Sequence, residues 1–331
     1  MTDTKRKAPN IDRLMAALHQ EKADRIPNFD VMFNARFCQH ILGPSSGEDV
    51  FWNMAPENAV KLVQAIGQDA IMCVTAPPMP PEGSIQSLDD LRDYLATDID
   101  REAYRSKMKA FLAAAKGTGI GVMARLTGPL VISYMGSGPI PIQSFMLHLY
   151  DNPEMVSAFM DRVIELDMQI IDALADLPFD FYYIGDDVAD NNGFMISPTT
   201  MKEIWVPRYK KIIDAVHEKG KPIMNHCCGN QKDILPYLLD WEVEATHPIQ
   251  SKANDIYAMK KQVGDRITLV GNIAINLLSM GTREEVVADT REHLARLGGD
   301  GAYIACSDHS IIDSVIPENY LAMIETVHRE G

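Results

Sequence analysis

A histidine and a cysteine with the spacing of metal ligands stand at the end of one apolar run of the sequence. His226 and Cys228 are two residues apart in the run 222–228. Because side chains of a β-strand alternate between its two faces, these two point the same way and Cys227 points the other way. An imidazole and a thiolate on one face suit Zn²⁺, which accepts both nitrogen and sulfur ligands. The alternative is an ordinary core pair, since free cysteine is among the most often buried residue types.

A third ligand has to come from another part of the chain. Cys306 and His309 stand three residues apart at the end of a later apolar run. We expect only one of them to point toward the first pair. Three protein ligands with one open position are typical of a catalytic zinc rather than a structural one. The sequence thus predicts a zinc site of His226, Cys228 and either Cys306 or His309.

Other polar side chains follow other apolar runs. Asp186 and Asp187 come directly after a run that ends in Gly185. They are candidates for a metal ligand or a general base, but a solvated turn that caps a helix is the default interpretation of such a sequence. His247 lies at the end of the run 243–248 and Asn272 follows the run 267–271, and His247 is equally a hydrogen-bonded loop residue.

The apolar runs alternate with helical patterns along the chain. Eight of them are predicted strands, at residues 26–31, 69–74, 119–126, 180–185, 222–228, 243–248, 267–271 and 302–306. Helix ends are recognisable between them: Thr282 and Glu285 form a capping box, and Pro317 suits the first turn of the last helix. One predicted helix runs from Ser197 to Glu218.

Strand–helix alternation of this kind predicts parallel strands joined by helical crossovers. Eight such units predict a closed (β/α)8 TIM barrel with an N-terminal helix over about 11–21, as a single domain over residues 1–331. A doubly wound open sheet is the alternative. A barrel would bring the polar residues above together, because it collects its chemistry at the C-terminal ends of the strands.

Composition excludes several classes of protein. The chain has 31 Lys and Arg against 46 Asp and Glu in 331 residues, a net charge of −15, which disfavours binding of nucleic acid or of an anionic membrane. No apolar run is long enough for a membrane-spanning helix, and no apolar stretch follows the basic residues at the start, so we expect no secretory signal. Five cysteines, an odd number, argue against a disulfide framework and predict a reduced, cytoplasmic location.

Several stretches occur in an order that is informative. They are Asp24-Arg25-Ile26-Pro27, Gly128-Pro129 with Tyr134, Leu149 to Glu154, Gly271-Asn272, and Pro317-Glu318-Asn319. In this order they resemble the uroporphyrinogen decarboxylase superfamily over essentially the whole chain. The resemblance implies a (β/α)8 barrel with a deep cleft at its C-terminal mouth.

The resemblance is closer to one branch of that superfamily than to the other. Decarboxylases carry an arginine-rich segment after the first strand, where this chain keeps only Arg36, and an aspartate where it has Ala274. Cobalamin-dependent methyltransferases have a zinc site of His-x-Cys-Gly plus a cysteine after the eighth strand. Residues 226–229 match the first part, and the position of the third ligand holds His309, with Cys306 three residues earlier.

The methyltransferase branch implies a zinc-dependent transfer of a methyl group. The methyl group moves between a small donor or thiol acceptor and the cobalt of a corrinoid (cobalamin), which a partner protein carries. Asp186 and Asp187 are then expected to orient ligands or handle protons, and Asn272, His247 and Tyr134 to contact the substrate. The acidic net charge favours a neutral methyl donor. The alternatives are a metal-free decarboxylase with Asp186 or His309 as its acid, and a non-catalytic corrinoid- or metal-binding accessory protein.

Overall fold

A sheet of seven parallel strands forms the centre of the computed structural model, which describes residues 8–43, 54–131 and 138–331. The strands of this sheet are β1 (Ala70–Val74), β2 (Gly121–Thr127), β3 (Phe181–Gly185), β6 (Ile223–His226), β7 (Ala245–His247), β8 (Thr268–Ile273) and β9 (Tyr303–Ser307). Each strand pairs in parallel with the next in this order. A short antiparallel pair, β4 (Ala189–Asp190) and β5 (Gly193–Phe194), follows β3. Seven of the eight predicted strands are confirmed.

The eighth position of the barrel is filled by residues 27–30, which are not a regular strand. The backbone N–H of Phe29 donates to the carbonyl of Ala305 in β9 at 3.1 Å, and that of Ala305 donates to Pro27 at 2.9 Å. On the other side, the N–H of Asp69 donates to the carbonyl of Asn28 at 3.4 Å. Pro27 has no N–H, so a regular ladder cannot continue through it. The prediction of a strand over 26–31 is therefore wrong, while the predicted (β/α)8 barrel is confirmed.

Helices surround the sheet and follow its strands. They are α1 (Ile11–Leu18), α2 (Ala35–Leu42), α3 (Pro56–Ile66), α4 (Arg92–Leu95), α5 (Arg101–Ala115), α6 (Ile142–Asp151), α7 (Pro153–Leu174), α8 (Pro198–Ile204), α9 (Val206–Glu218), α10 (Leu235–Asp240), α11 (Ile256–Val263), α12 (Ile275–Met280), α13 (Arg283–Leu297) and α14 (Pro317–Glu330). The capping box at the start of α13 is confirmed. The single helix predicted from Ser197 to Glu218 is wrong: it is two helices, because Pro207 near the start of α9 has no N–H to continue the first one.

The N-terminal helix α1 closes the end of the barrel opposite to the polar strand ends. Its buried residues Leu14, Ala17 and Leu18 pack in one cluster with the inward-facing side chains of the strands. The hydroxyl of Thr268, the first residue of β8, donates to the carbonyl of Ala17 at 2.6 Å. The predicted N-terminal helical extension is confirmed, and an apolar plug at this end leaves the other end of the barrel for chemistry.

Membrane-spanning length and hydropathy are not found together in any helix of the described ranges.

Asp69 connects the N-terminal segments to the barrel. The side chain is completely buried and accepts hydrogen bonds from the backbone N–H groups of Asn10 at 2.8 Å and Asn28 at 3.4 Å. It also forms ion pairs with the guanidinium groups of Arg13 at 3.3 Å and Arg25 at 3.2 Å. One carboxylate thus holds α1, the barrel-closing segment and the start of β1 together.

We expect Asp69→Ala to lower the free energy of unfolding by about 3–5 kcal/mol, because it removes one partner of a buried ionic cluster. Urea denaturation followed by circular dichroism measures this loss. Asp89→Ala is the matched control: Asp89 is 88% exposed and pairs with Arg92 at 2.7 Å, so its removal should cost below about 1 kcal/mol. Equal losses in the two variants would contradict the role given to Asp69.

Candidate metal centre

Three potential metal ligands converge at the C-terminal ends of β3 and β6. Gly185 is paired with His226 across these strands, and Asp187 lies two residues beyond Gly185. Asp187, His226 and Cys228 each offer one ligand atom, and these atoms lie within 4.8 Å of one another. Nε2 of His226 is 3.4 Å from Oδ1 of Asp187 and 3.7 Å from Sγ of Cys228. His226 is therefore the centre of the group, with a carboxylate and a thiol on either side.

The backbone after Cys228 fixes the position of that thiol. The N–H of Cys228 donates to Oδ1 of Asp187 at 2.7 Å. Gly229 follows with φ = +85°, and a Cβ there would lie 2.5 Å from the carbonyl oxygen of Asp190 and 2.6 Å from that of Ala189. Only glycine fits such a close approach in this conformation. The glycine of the His-x-Cys-Gly pattern is thus needed to pass the chain beneath the β4–β5 hairpin.

His247 supports His226 from the neighbouring strand β7. The two Nδ1 atoms are 2.8 Å apart, and the hydroxyl of Tyr183 is 3.4 Å from Nδ1 of His247. Burial lowers the pKa of His247 well below its usual range, so its imidazole is neutral near pH 7. A neutral His247 can accept a hydrogen bond from Nδ1–H of His226, which orients the imidazole so that Nε2 of His226 faces Asp187 and Cys228.

Asp187 and Cys228, the two members of the group beside His226, differ in charge. Burial acts to raise the pKa of Asp187, but its hydrogen bonds with His226 and Cys228 outweigh this and lower the pKa to about 2. Burial raises the pKa of the Cys228 thiol, and the nearby charge of Asp187 raises it further. The carboxylate is thus ready to bind a cation, while the thiol needs a cation to lose its proton.

A cavity of about 230 Å³ opens in front of this group. Its walls combine apolar, aromatic and polar residues, namely Val31, Met32, Arg125, Val131, Tyr183, Gly185, Asp187, His226, Cys228, His309 and Ser310. Arg125 and Tyr183 were not among the residues singled out from the sequence. The signal that could have found Arg125 is an arginine inside the otherwise apolar run 119–126.

Asp186 faces away from the metal-binding group. Its carboxylate accepts hydrogen bonds from the N–H of Val131 at 2.5 Å, the N–H of Leu130 at 3.3 Å and Nε1 of Trp205 at 2.7 Å. Burial raises the pKa of Asp186 to about 7 in spite of these hydrogen bonds. Asp186 therefore anchors the segment after β2, whereas Asp187 belongs to the candidate metal-binding group.

Cys306 and His309, the two expected candidates for the third ligand, both lie outside the group. Cys306 is paired with Asn272 in the sheet, is completely buried, and its thiol is 3.2 Å from Oδ1 of Asp30. His309 lines the cavity, and its buried Nδ1 has no hydrogen-bond partner in the described part of the chain. Among the described residues, Asp187 is the third candidate ligand whose atom lies within 4.8 Å of those of His226 and Cys228.

The three expected substrate contacts have different positions. Oδ1 of Asn272 lies 2.9 Å from Nε2 of His293 on α13, so its side chain is directed at a helix. His247 is 2% exposed and reaches the cavity through His226. Tyr134 lies outside the described residues.

Comparison with known proteins places this geometry in context. Residues 58–330 match the family model described as uroporphyrinogen decarboxylase (URO-D). A uroporphyrinogen decarboxylase of Geobacter metallireducens is 24% identical over 227 residues, which are 62% of this chain and 62% of that protein. The methylcobamide:CoM methyltransferase MtaA of Methanosarcina barkeri is 25% identical over 246 residues, 72% of this chain and 62% of that protein. The chain thus spans about 62% of the length of these curated relatives.

A solved structure, a methyltransferase from Methanosarcina mazei, has a similar fold. It superposes with a TM-score of 0.68 at 21% sequence identity, over 97% of this chain and 98% of that one. At this identity the likeness concerns the fold.

Proposed function

This chain belongs to the uroporphyrinogen decarboxylase family, and from that premise we propose that it is a zinc-dependent methyltransferase. It would move a methyl group between a small molecule and the cobalt of a corrinoid carried by a partner protein. Asp187, His226 and Cys228 would hold the zinc. The observation that carries the proposal is the approach of these three side chains to one another within 4.8 Å.

The two distances from Nε2 of His226 to its neighbours in the group fit a tetrahedral zinc ion. With bonds of about 2.0–2.1 Å to nitrogen and about 2.3 Å to sulfur, two ligand atoms of a tetrahedron are separated by about 3.6 Å. The observed separation of His226 Nε2 and Cys228 Sγ is 3.7 Å. For nitrogen and oxygen ligands the same arithmetic gives about 3.4 Å, and His226 Nε2 and Asp187 Oδ1 are 3.4 Å apart. Three such ligands leave a fourth position for a substrate.

Bound zinc would supply Lewis acidity, either to keep a thiol substrate deprotonated or to improve the leaving group of a methyl donor. The chain's own residues prepare the site for it. His247 accepts a hydrogen bond from Nδ1–H of His226 and so orients the ligating nitrogen. The N–H of Cys228 holds the Asp187 carboxylate in place. Asp186 positions residues 130–131, and Val131 forms part of the cavity wall.

Two observations favour methyl transfer over decarboxylation of a tetrapyrrole. The cavity of about 230 Å³ lies below the range of roughly 300–1,000 Å³ that accommodates drug-sized ligands, and a tetrapyrrole is larger still. The remaining arginine of the decarboxylase segment, Arg36, is exposed, and its Nη1 donates to the carbonyl of Asp313 at 2.8 Å. The corrinoid and the partner protein are proposed from the printed name of the MtaA relative, a methylcobamide:CoM methyltransferase.

The proposal is tested with the purified protein, anaerobically, with free corrinoid in place of the partner's cofactor. Methylcobalamin is offered with a panel of thiols, and cob(I)alamin with a panel of methyl ethers and methylamines. We expect a change in corrinoid absorbance in one of the two directions that depends on one zinc per chain. Conversion of uroporphyrinogen to coproporphyrinogen that a chelator does not affect would contradict the proposal.

Cys306→Ala distinguishes Asp187 from Cys306 as the third ligand. We expect this variant to keep one zinc per chain, since the Cys306 thiol is directed at Asp30 and lies outside the group. Zinc content after dialysis against a weak chelator measures this. Loss of zinc from the folded variant would return Cys306 to the ligand set.

A further inference from the structure

We propose that Arg125, which lies beside Gly185, forms an anion-binding subsite in the cavity. The small molecule bound there would carry one carboxylate. The assignment of this molecule as methyl donor or acceptor rests on the proposed function, whereas the subsite itself is argued from the walls of the cavity.

Arg125 is a buried cation that lines the cavity. It stands near the end of β2, its neighbour across the sheet is Tyr183, and its side chain is 8% exposed. Nη1 donates to the hydroxyl of Thr127 at 2.7 Å, which restrains one end of the guanidinium. A planar guanidinium matches the geometry of a carboxylate and can bind it through two parallel hydrogen bonds.

Gly185 places Arg125 and the candidate metal centre around one space. A Cβ on Gly185 would lie 3.6 Å from Nη2 of Arg125 and 3.8 Å from Cδ2 of His226. The two side chains therefore approach the same glycine. One small molecule in front of Gly185 can contact the guanidinium at one end and the metal centre at the other.

The charges of the cavity wall favour an anion once the centre is loaded. Arg125 is the only lysine or arginine among the residues that line the cavity in the described part of the chain. Asp187 and an ionised Cys228 would be balanced by a divalent cation. Asp167 on α7 interacts electrostatically with Arg125. Burial raises the pKa of the Asp167 carboxyl well above its usual range. The negative net charge of the whole chain favours a neutral substrate, but the positive charge of Arg125 inside the cavity favours an anion.

The volume limits the size of the carboxylate. The cavity of about 230 Å³ lies below the roughly 300 Å³ at which pockets for drug-sized ligands begin. It therefore takes a short-chain acid rather than a polycarboxylate.

The test compares two thiols that differ in one end group, 3-mercaptopropionate and 3-mercapto-1-propanol, on the zinc-loaded protein. We expect the carboxylate to bind about 10- to 100-fold more tightly, the range given by hydrogen bonds to a charged group. Dissociation constants come from calorimetry or ligand-observed NMR. Equal affinity of the two thiols for the unaltered protein would overturn the proposal.

Two variants locate the preference. Arg125→Met should reduce it to within a fewfold, while zinc content stays at one per chain. Arg125→Lys, which keeps a charge in case the methionine variant does not fold, should retain only part of it. Gly185→Ala brings a Cβ to ordinary contact distances of 3.6–3.8 Å, so it should fold and bind zinc but weaken 3-mercaptopropionate. A preference that survives in the folded Arg125→Met protein would overturn the proposal.

Propionate and 1-propanol, tested on zinc-free protein, separate this inference from the proposed function. If the protein prefers propionate through Arg125 but does not take up added zinc, the subsite is supported and the zinc centre is refuted. If the protein binds zinc but shows no preference for the carboxylate, the zinc centre is supported and the subsite is refuted.

Discussion

Cys228→Ala is expected to abolish stoichiometric zinc binding and, with it, methyl transfer. The substitution removes the only sulfur of the three-residue group, so the loss of zinc affinity should exceed the roughly 10- to 100-fold that the loss of a supporting residue costs. Zinc per chain after gel filtration, and the rate with the corrinoid substrate, are the two measurements. Unchanged zinc content would refute the assignment of Cys228.

Cys227→Ala is the matched control, because it changes the adjacent cysteine and leaves the group intact. The Cys227 side chain is completely buried, and its Sγ is 3.1 Å from the carbonyl of Cys228. We expect normal zinc content and a small loss of stability. If both variants lost zinc to the same extent, a general disturbance of the β6 end would explain the result.

Asp187→Asn and Asp186→Asn should have opposite effects, although the two residues are neighbours. Asp187→Asn keeps an oxygen for the N–H of Cys228 but removes the charge next to His226, so zinc should dissociate while the fold is preserved. Zinc content and the thermal midpoint, measured on the same sample, test this. A variant that keeps its zinc would show that Asp187 is not a ligand.

Asp186→Asn should keep zinc and lose stability. Val131, Leu130 and Trp205 all donate to this carboxylate, so the amide nitrogen of an asparagine would face at least one donor. We expect a loss of about 1–3 kcal/mol in the free energy of unfolding. Loss of zinc from a stable Asp186→Asn protein would reverse the roles given to the two aspartates.

The barrel could be predicted from the sequence because strand–helix alternation is a property of local patterns. The first predicted strand was wrong, although Pro27 inside its run already indicates that a ladder is interrupted there. The backbone of Pro27 accepts from Ala305 but has nothing to donate, and the segment closes the barrel through isolated bridges.

Part of the candidate site could be predicted for the same reason. The spacing of His226 and Cys228 fixes a common face within one strand end, and the structure brings these two side chains together. Which residue completes the group depends on how far each strand extends toward the C-terminal end of the barrel. Cys306 pairs with Asn272 and ends against Asp30, whereas Asp187 extends two residues beyond Gly185 and meets His226. Heights across different strands are set by sheet register, which no local pattern shows.

The same limit explains why the two aspartates could not be told apart. Adjacent residues at a strand end face opposite sides, but the sequence does not show which side is the inside of the barrel. Leu130 and Val131, which donate to Asp186, come 56 and 55 residues earlier in the chain. The run 119–126 shows an unusual arginine, but the approach of Arg125 to a glycine in another strand is not a local pattern.

X-ray absorption at the zinc edge, on protein purified without added metal, tests the central claim most directly. We predict one zinc per chain, bound by a single sulfur at about 2.3 Å and by nitrogen and oxygen at about 2.0–2.2 Å. Absence of zinc would contradict the proposed zinc site, and so would a site with two sulfur ligands, because the group at the barrel mouth contains only the sulfur of Cys228.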